Sequence, residues 1–436
     1  MTIAAAVVAF GVSAAISQID LRGGTGALSG ITPGVAARSG VAASGASYSA
    51  LLAELDERID GLQRRANKRP DDWLIRGSLG SALHERAGLT NQLADFDRVQ
   101  AVLDEAFAIA PTGSGPLLVA ARFNYSVHRL AGAEKYLDLM DRRAVPRGDE
   151  QLLARVLRAE IAVQRGQYEV AFKALGEVAA VAPVAAKAEL ALYHAKTGHS
   201  VEAQALLAET LASTDTNDPR RRAWIRLQLG IIAMERGELV VAMEQLRGAD
   251  AELAGWWLVH EHIAEIHTRR ANLDKAITIF EELVRTADLP QHMDALAGLY
   301  QRTGRAQEAE ALITRAGARW EQQLARWPES AMGHSLQHHL QFGTPERALE
   351  LALANEAARP GGEAQVLLAL AYLRSDRAAD ALAVAERALA TPYRTARLHD
   401  VAAKAHAALG HTAAAEEQVA LCLAINPGYS SEDHSH

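Results

Sequence analysis

The chain has 436 residues, with 45 Lys and Arg against 53 Asp and Glu, so its formal net charge at pH 7 is −8. This acidic balance argues against nucleic acid and anionic membranes as partners, because both require a basic footprint. Hydrophobic residues make up 49% of the chain but aromatic residues only 5%, a composition that favours close-packed helices over sheets. The single cysteine, Cys422, excludes an internal disulfide framework and any cysteine-based metal cluster.

The N-terminal part of the chain divides into two segments. Residues 1–22 contain a short apolar run from Ala5 to Ala15, which ends in small residues, Ser13-Ala14-Ala15, at candidate cleavage positions. They are predicted to be a signal peptide or membrane anchor. No Lys or Arg precedes the run, so an Ala-rich tail is the alternative. Residues 23–48 are rich in Gly, Ser and Ala and are predicted to be a flexible linker. A signal peptide predicts a periplasmic or secreted protein, and its absence predicts a cytoplasmic one.

Residues 49–67 are predicted to form one amphipathic helix that caps the rest of the chain. Leu51, Leu55 and Ile59 fall on one stripe of this helix, and Ser49 is the expected N-cap. At the other end of the chain, the polar residues 429–436 are predicted to be a disordered tail.

The stretch from Trp224 to Gly248 shows how the middle of the chain is organised. It predicts two short amphipathic helices joined at Gly237, each with apolar residues at a spacing of about 3.6. A hairpin of two such helices cannot cover both of its apolar stripes alone. It therefore requires a similar hairpin on each side.

Similar hairpins recur at spacings of about 32 to 39 residues, which is typical of a stacked helical array. In each copy a turn residue lies five positions before a small alanine, where two helices are expected to cross closely. The turn residues are Gly166, Gly198, Gly237, Ala271, Gly304, Gly343, Asp376 and Gly410. Together with two less regular copies before them, the sequence predicts about ten hairpins over residues 71–428.

These hairpins resemble the tetratricopeptide repeat (TPR) family, which combines a Leu-Gly pair, aromatic residues, a turn glycine, a small alanine and a closing proline. The matching residues are Leu229-Gly230, Tyr168, Tyr300, Tyr372, Phe280 and the segment Ala424–Pro427. The resemblance covers roughly residues 71–427 and implies an all-α, right-handed α-solenoid. The pentatricopeptide relatives, which read RNA, are disfavoured by the acidic balance.

The resemblance also implies a function and a site. In that family the first helix of each hairpin lines a concave groove, so we expect a non-catalytic scaffold or adaptor that binds a peptide or helix of another protein there. Aromatic and arginine side chains are the usual anchors at such interfaces. The candidate groove residues are Trp224, Leu227, Glu235, Glu261, Glu265, Arg269, Asp294, Arg302 and Gln337. Neither nucleic acid nor a cofactor is expected, and a membrane only if residues 1–22 remain as an anchor.

Histidines are the candidate residues for catalysis or metal binding. His260-Glu261-His262 begins like a zinc-protease helix, but that motif needs a fifth-position histidine where this chain has Ala264. His334 and His338 lie four residues apart, without a visible third ligand. We therefore predict no catalytic residues and no metal site. The alternative is a metal-binding or enzymatic protein that uses the His-rich repeats at residues 260–339.

Overall fold

The computed structural model describes residues 46–143 and 148–430. The predicted signal peptide or anchor at residues 1–22 lies outside the described residues, as do most of the predicted linker and the end of the predicted tail. Within the described ranges the chain forms 21 α-helices and one sheet of two very short strands. None of these helices combines the length and the apolar character needed to cross a bilayer.

The strands are β1 (Ala46–Ser47) and β2 (Leu253–Ala254). The helices, in chain order, are α1 (Tyr48–Lys68), α2 (Trp73–Thr90), α3 (Leu93–Ile109), α4 (Leu117–Ser126), α5 (Leu130–Asp141), α6 (Gly148–Gln164), α7 (Tyr168–Val181), α8 (Pro183–Lys196), α9 (Ser200–Ser213), α10 (Pro219–Glu235), α11 (Leu239–Glu252), α12 (Trp257–Arg269), α13 (Leu273–Thr286), α14 (Pro290–Arg302), α15 (Ala306–Arg326), α16 (Pro328–Gln341), α17 (Pro345–Ala358), α18 (Gly362–Arg374), α19 (Ala378–Leu389), α20 (Ala396–Ala408) and α21 (Thr412–Ile425).

Helices α2 to α21 pack as ten consecutive hairpins, each stacked on the next. The prediction of an all-α solenoid of about ten helical hairpins is therefore confirmed. We number the hairpins 1 (α2 and α3) to 10 (α20 and α21). Each contributes a first helix and a second helix, and the apolar stripes of both are covered by the neighbouring hairpins.

The turns inside the hairpins follow the predicted pattern with one exception. Gly237 has φ +75°, a left-handed conformation that only glycine adopts without a steric penalty. The predicted turn residues that share a positive φ are Gly166, Gly198, Ala271, Gly304, Asp376 and Gly410. Gly343 is the exception, because α16 ends through Phe342 in a right-handed conformation. The alanine five positions after each turn is buried, for example Ala242 and Ala276 at 0% exposure.

The N-cap of helix α1 lies two residues earlier than the sequence suggested. Ser47, rather than Ser49, is the N-cap, and its side chain accepts a hydrogen bond from the Ala50 backbone N–H at 3.3 Å. The reason lies far away in the sequence, since Ser47 is held extended by parallel pairing of β1 with β2. An extended residue directly before a helix is the geometry that an N-cap requires.

The array curls until hairpins five or six places apart touch each other, and we call this line of contact the seam. The Trp257 indole N–H donates to the Leu89 carbonyl at 2.7 Å, which joins hairpin 6 to hairpin 1. The N–H of Gly361, just before hairpin 9, donates to the carbonyl of Gln164 in hairpin 3 at 3.0 Å. The Arg394 N–H likewise donates to the Lys196 carbonyl at 2.9 Å. One turn of the solenoid therefore rests directly on the next.

Gly362 lies at the seam, where an added methyl group is expected to destabilise the fold. A Cβ at this position would overlap the ring of Tyr393, which is buried against Tyr168 with ring centroids 6.2 Å apart. We expect Gly362→Ala to lower the free energy of unfolding by about 1–3 kcal/mol, the usual cost of overpacking. Denaturant unfolding of the purified variant measures this.

The matched control is Gly88→Ala, since Gly88 lies inside α2 and a Cβ there meets no atom within 4 Å. This variant should gain up to about 1 kcal/mol from helix propensity. Equal unfolding midpoints for the Gly362 variant and the unmodified chain would contradict the packing of the seam.

Candidate ligand-binding interior

The closed array buries most of the residues that the sequence placed on an open groove. Trp224, Leu227, Glu261, Glu265, Asp294 and Gln337 are between 0 and 8% exposed. These six side chains are therefore enclosed by the protein rather than open to solvent. Glu235 and Arg302 are exposed, while Arg269 is half-buried and donates to the Met234 carbonyl at 3.1 Å. A role of these residues in partner binding stays a prediction.

Two of the buried glutamates pair with histidines rather than with solvent. His262 Nδ1 lies 3.0 Å from Glu265 Oε2 one helical turn away. Glu261 Oε2 lies 3.6 Å from Nε2 of His292 in the next hairpin. Burial alone would raise the pKa of Glu261, but the nearby imidazoles of His292 and His262 outweigh burial, so the net shift is downward. Burial would lower the pKa of His262, yet Glu265 raises it overall.

Asp294 joins three neighbouring helices. One of its carboxylate oxygens lies 2.7 Å from His338 Nδ1, and the other accepts from the Trp320 indole N–H at 2.7 Å. Burial raises the pKa of Asp294 despite these two hydrogen bonds. The carboxylate therefore connects hairpins 7 and 8 and is enclosed by protein.

The two histidines considered as a metal pair have different surroundings. His334 stacks on Trp320, with ring centroids 5.8 Å apart and planes 10° apart, and burial lowers its pKa to about 4. His338 is bonded to Asp294. Within residues 46–143 and 148–430, no three or more His, Cys, Asp or Glu side chains are grouped as they would be to hold a metal ion.

A first cavity, of about 80 Å³, lies at the seam between hairpins 2 to 4 and hairpins 8 to 10. We call it the tyrosine pocket. Its aromatic walls are Tyr125, Tyr168, Tyr193 and Tyr393, and its charged or polar walls include His128, Glu160, Gln164, Glu189, Lys196, Arg359 and Glu363. Both turns of the solenoid contribute to these walls.

Glu160 and Glu189 form a carboxyl pair inside this pocket. The two side chains are hydrogen-bonded to each other, and both are buried, at 7% and 5% exposure. Burial raises the pKa of Glu160 well above its usual range, and the neighbouring Glu189 raises it further. Burial also raises the pKa of Glu189, to about 7, although Arg122 opposes the shift. The pair therefore keeps a shared proton near neutral pH, as closely spaced carboxyls do.

The cationic walls of the tyrosine pocket have partners within the protein. Lys196 forms an ion pair with Glu363 across the seam. Arg359 donates to the side-chain oxygen of Asn355, and burial lowers its pKa to about 10. His128 has a pKa well below its usual value because it is buried, so this ring is neutral.

A second cavity, with about 2,420 Å³ of space that is partly open to solvent, lies between helices α1, α2 and α10. We call it the arginine cavity. It is lined by Arg58, Arg122, Arg220 and Arg221, together with Trp224 and Trp256. Arg58 and Arg220 share a single carboxylate, that of Glu85.

Several hydrogen-bond donors on the walls of the arginine cavity have no acceptor. These are the indole N–H groups of Trp224 and Trp256, which are 6% and 2% exposed, and one guanidinium nitrogen of Arg122. Burial lowers the pKa of Arg122 to about 10. Buried donors normally have acceptors, so the walls of this cavity are unusually rich in donors.

Sequence analysis selected Trp224 but missed Arg122, Glu160 and Glu189. A signal for them exists in the repeat pattern. Arg122 and Glu160 each lie six residues before a turn residue, and Glu189 lies nine before Gly198. Positions three residues apart share one face of a helix. All three therefore fall on the inner face of the first helices of consecutive hairpins. Charged residues are expected on such a face in any solenoid, so their position alone did not mark them as a site.

No protein-family model matches the chain, and no curated protein matches it. Solved structures that it resembles include the human IFIT1 dimer with m7Gppp-AAAA, at 13% identity and a TM-score of 0.42, over 85% of this chain and 95% of that one. PilF of Pseudomonas aeruginosa matches at 18% identity and a TM-score of 0.34, over 50% and 96%. A tetratricopeptide repeat protein from Parabacteroides merdae matches at 15% and 0.33, over 55% and 98%. The likeness concerns the TPR-like helical-repeat fold alone.

Proposed function

We propose that this protein is a non-catalytic scaffold that binds an acidic segment of a partner protein in the arginine cavity. The observation that carries the proposal is the set of donors without acceptors on the cavity walls, at Trp224, Trp256 and Arg122. Carboxylates are the acceptors that a partner protein supplies most readily to arginine and indole donors.

The charges around the cavity support the same choice of partner. Four arginines line it against three carboxylates, those of Glu54, Glu85 and Asp218. This local excess of positive charge contrasts with the net charge of −8 for the whole chain. An acidic segment would be attracted to the cavity and repelled by much of the remaining surface, which favours one binding register.

The proposal keeps the binding function inferred from the sequence but moves it from an open groove to an inner cavity. Glu235, Arg269 and Arg302 remain candidates for contacts with the parts of the partner that stay outside. If residues 1–22 act as a signal peptide, the partner is a periplasmic or secreted protein.

Two matched peptides test the proposal, acetylated hexaglutamate and acetylated hexaglutamine, with binding followed by calorimetry. We expect hexaglutamate to bind more tightly, and its affinity to fall as salt is added. Arg221→Gln should weaken it about tenfold, the effect of losing one charge-assisted hydrogen bond. Arg285→Gln, which changes an exposed arginine outside the cavity lining, is the control and should bind normally.

Equal binding of the two peptides, or equal weakening by both substitutions, would contradict the proposal. In the native cell, a photo-crosslinking residue at position 221 should then capture a protein with an acidic segment, while the same residue at position 285 should not.

A further inference from the structure

We propose that the tyrosine pocket binds a primary ammonium group, such as a lysine side chain, in exchange for the proton shared by Glu160 and Glu189. This site is separate from the arginine cavity and does not depend on the function proposed for that cavity. When the ammonium group binds, the O–H bond of the shared proton breaks and the proton passes to solvent. No other covalent bond is formed or broken.

The first argument is an acceptor without a donor. Glu160 lines the pocket, is 7% exposed, and its Oε1 has no hydrogen-bond partner. An ammonium group offers three donors and no acceptor. Burying a carboxylate oxygen without a hydrogen-bond donor costs free energy. A ligand that donates a hydrogen bond to Glu160 would remove this cost.

The second argument is the balance of charge. Lys196 and Glu363 neutralise each other, and Arg359 donates to Asn355. The carboxyl pair stays protonated because burial disfavours two negative charges, even with the guanidinium of Arg122 nearby. Replacing one proton by one ammonium leaves the total charge of the pocket unchanged. An anion has no such exchange, because the cations that line the pocket already have partners.

The third argument is the nature of the walls. Tyr125, Tyr168, Tyr193 and Tyr393 present aromatic rings to the space beside the carboxyl pair. Burial raises the pKa of Tyr168, Tyr193 and Tyr393, so their hydroxyls stay neutral under physiological conditions. Aromatic faces together with carboxylates attract cations, and the rings also pack against the methylene groups of a lysine side chain.

The test uses two probes, Nα-acetyl-lysine amide and Nα-acetyl-norleucine amide, which differ in the ammonium group. Calorimetry of the full chain should show binding of the lysine probe and little or none of the norleucine probe. Since a lysine stays charged well above pH 8, only the carboxyl pair titrates. The affinity should rise about tenfold per pH unit as long as binding displaces the shared proton, and level off at the pH where the free pair has lost that proton.

Two further measurements separate this exchange from ordinary binding. Repeating the titration in buffers of different ionisation enthalpy should show release of about one proton per ligand near neutral pH. Infrared difference spectra should show loss of a protonated carboxyl band on addition of the lysine probe and no loss with norleucine. Binding without proton release, or affinity that rises as the pH falls, would overturn the proposal.

Variants locate the effect. Glu189→Gln keeps a hydrogen-bonding group beside Glu160 and should weaken the lysine probe about tenfold or more. Glu281→Gln removes a carboxylate that is partly exposed beside Arg305 and should change nothing. Arg221→Gln should also leave lysine binding unchanged, so a failure of the arginine-cavity proposal is distinguishable from a failure here. Equal affinities for the Glu189 and Glu281 variants would reject the carboxyl pair as the site.

Discussion

Replacing Trp327 by alanine is expected to lower the free energy of unfolding by about 3–5 kcal/mol, the usual cost of deleting a buried tryptophan. Trp327 lies before hairpin 8 and is 4% exposed, yet its ring contacts are with the first two hairpins. It packs edge-on against Phe96 and Phe123, with ring centroids 5.9 and 5.6 Å away. The Arg129 guanidinium lies 4.3 Å from its ring centroid.

The loss should also open the seam, because the Trp327 indole N–H donates to Asp97 at 3.1 Å across it. Small-angle scattering should show a larger radius of gyration for Trp327→Ala. Trp320→Ala is the matched control: Trp320 is also buried, but its hydrogen bond, to Asp294, lies within hairpin 7. This control should lose stability without expanding. If the Trp327 variant has the same radius of gyration as the unmodified chain, other contacts are sufficient to hold the seam together.

Opening the seam should reach the tyrosine pocket as well. Its walls come from both turns, and the Gly362 N–H donates to the Tyr168 hydroxyl at 2.9 Å between them. We therefore expect the Trp327 variant to bind the lysine probe more weakly than the Trp320 variant does.

Replacing Ala242 by tryptophan is expected to cost about 3 kcal/mol or more, at the upper end of overpacking effects. Ala242 is 0% exposed and lies where α10 and α11 cross. The closeness of the crossing is clear at Gly230, where an added Cβ would come within 2.9 Å of Leu246 and 3.5 Å of the Ala242 carbonyl. An indole cannot fit without separating the two helices.

The matched control for this substitution lies in the same helix. Val240 is 75% exposed, so Val240→Trp adds the same indole where it meets solvent and should change the stability by less than about 0.5 kcal/mol. Thermal unfolding of both variants, followed by circular dichroism, gives the comparison. Equal melting temperatures would contradict the close helix crossing on which the repeat pattern depends.

The local organisation of this chain could be predicted from its sequence. The turn at Gly237 and the small residue at Ala242 repeat along the chain, and both patterns report contacts between residues that are close in sequence. The burial of Cys422, at 4% exposure, follows from the same helical periodicity. A 3.6-residue stripe needs only its own helix and the neighbouring hairpins to determine which side chains are covered.

The closure of the array could not be predicted in this way. The curvature of a solenoid is the sum of small rotations between successive hairpins, and no residue pattern in one hairpin reports the total. Contacts such as that between Tyr168 and Gly362, 194 residues apart, exist only because that sum brings two turns together. Glu261 and Asp294, which the sequence placed in a groove, are buried in the structure against side chains of the same and adjacent hairpins.

The sequence by itself therefore determined the helical hairpins, their turns and their order, because these depend on neighbours along the chain. The tertiary structure alone decided that two turns of the array meet at a seam, that Glu160 and Glu189 are buried side by side, and that the tyrosine pocket and the arginine cavity lie between packed hairpins. The physical reason is that burial and charge at the inner face depend on how one complete turn packs on the next.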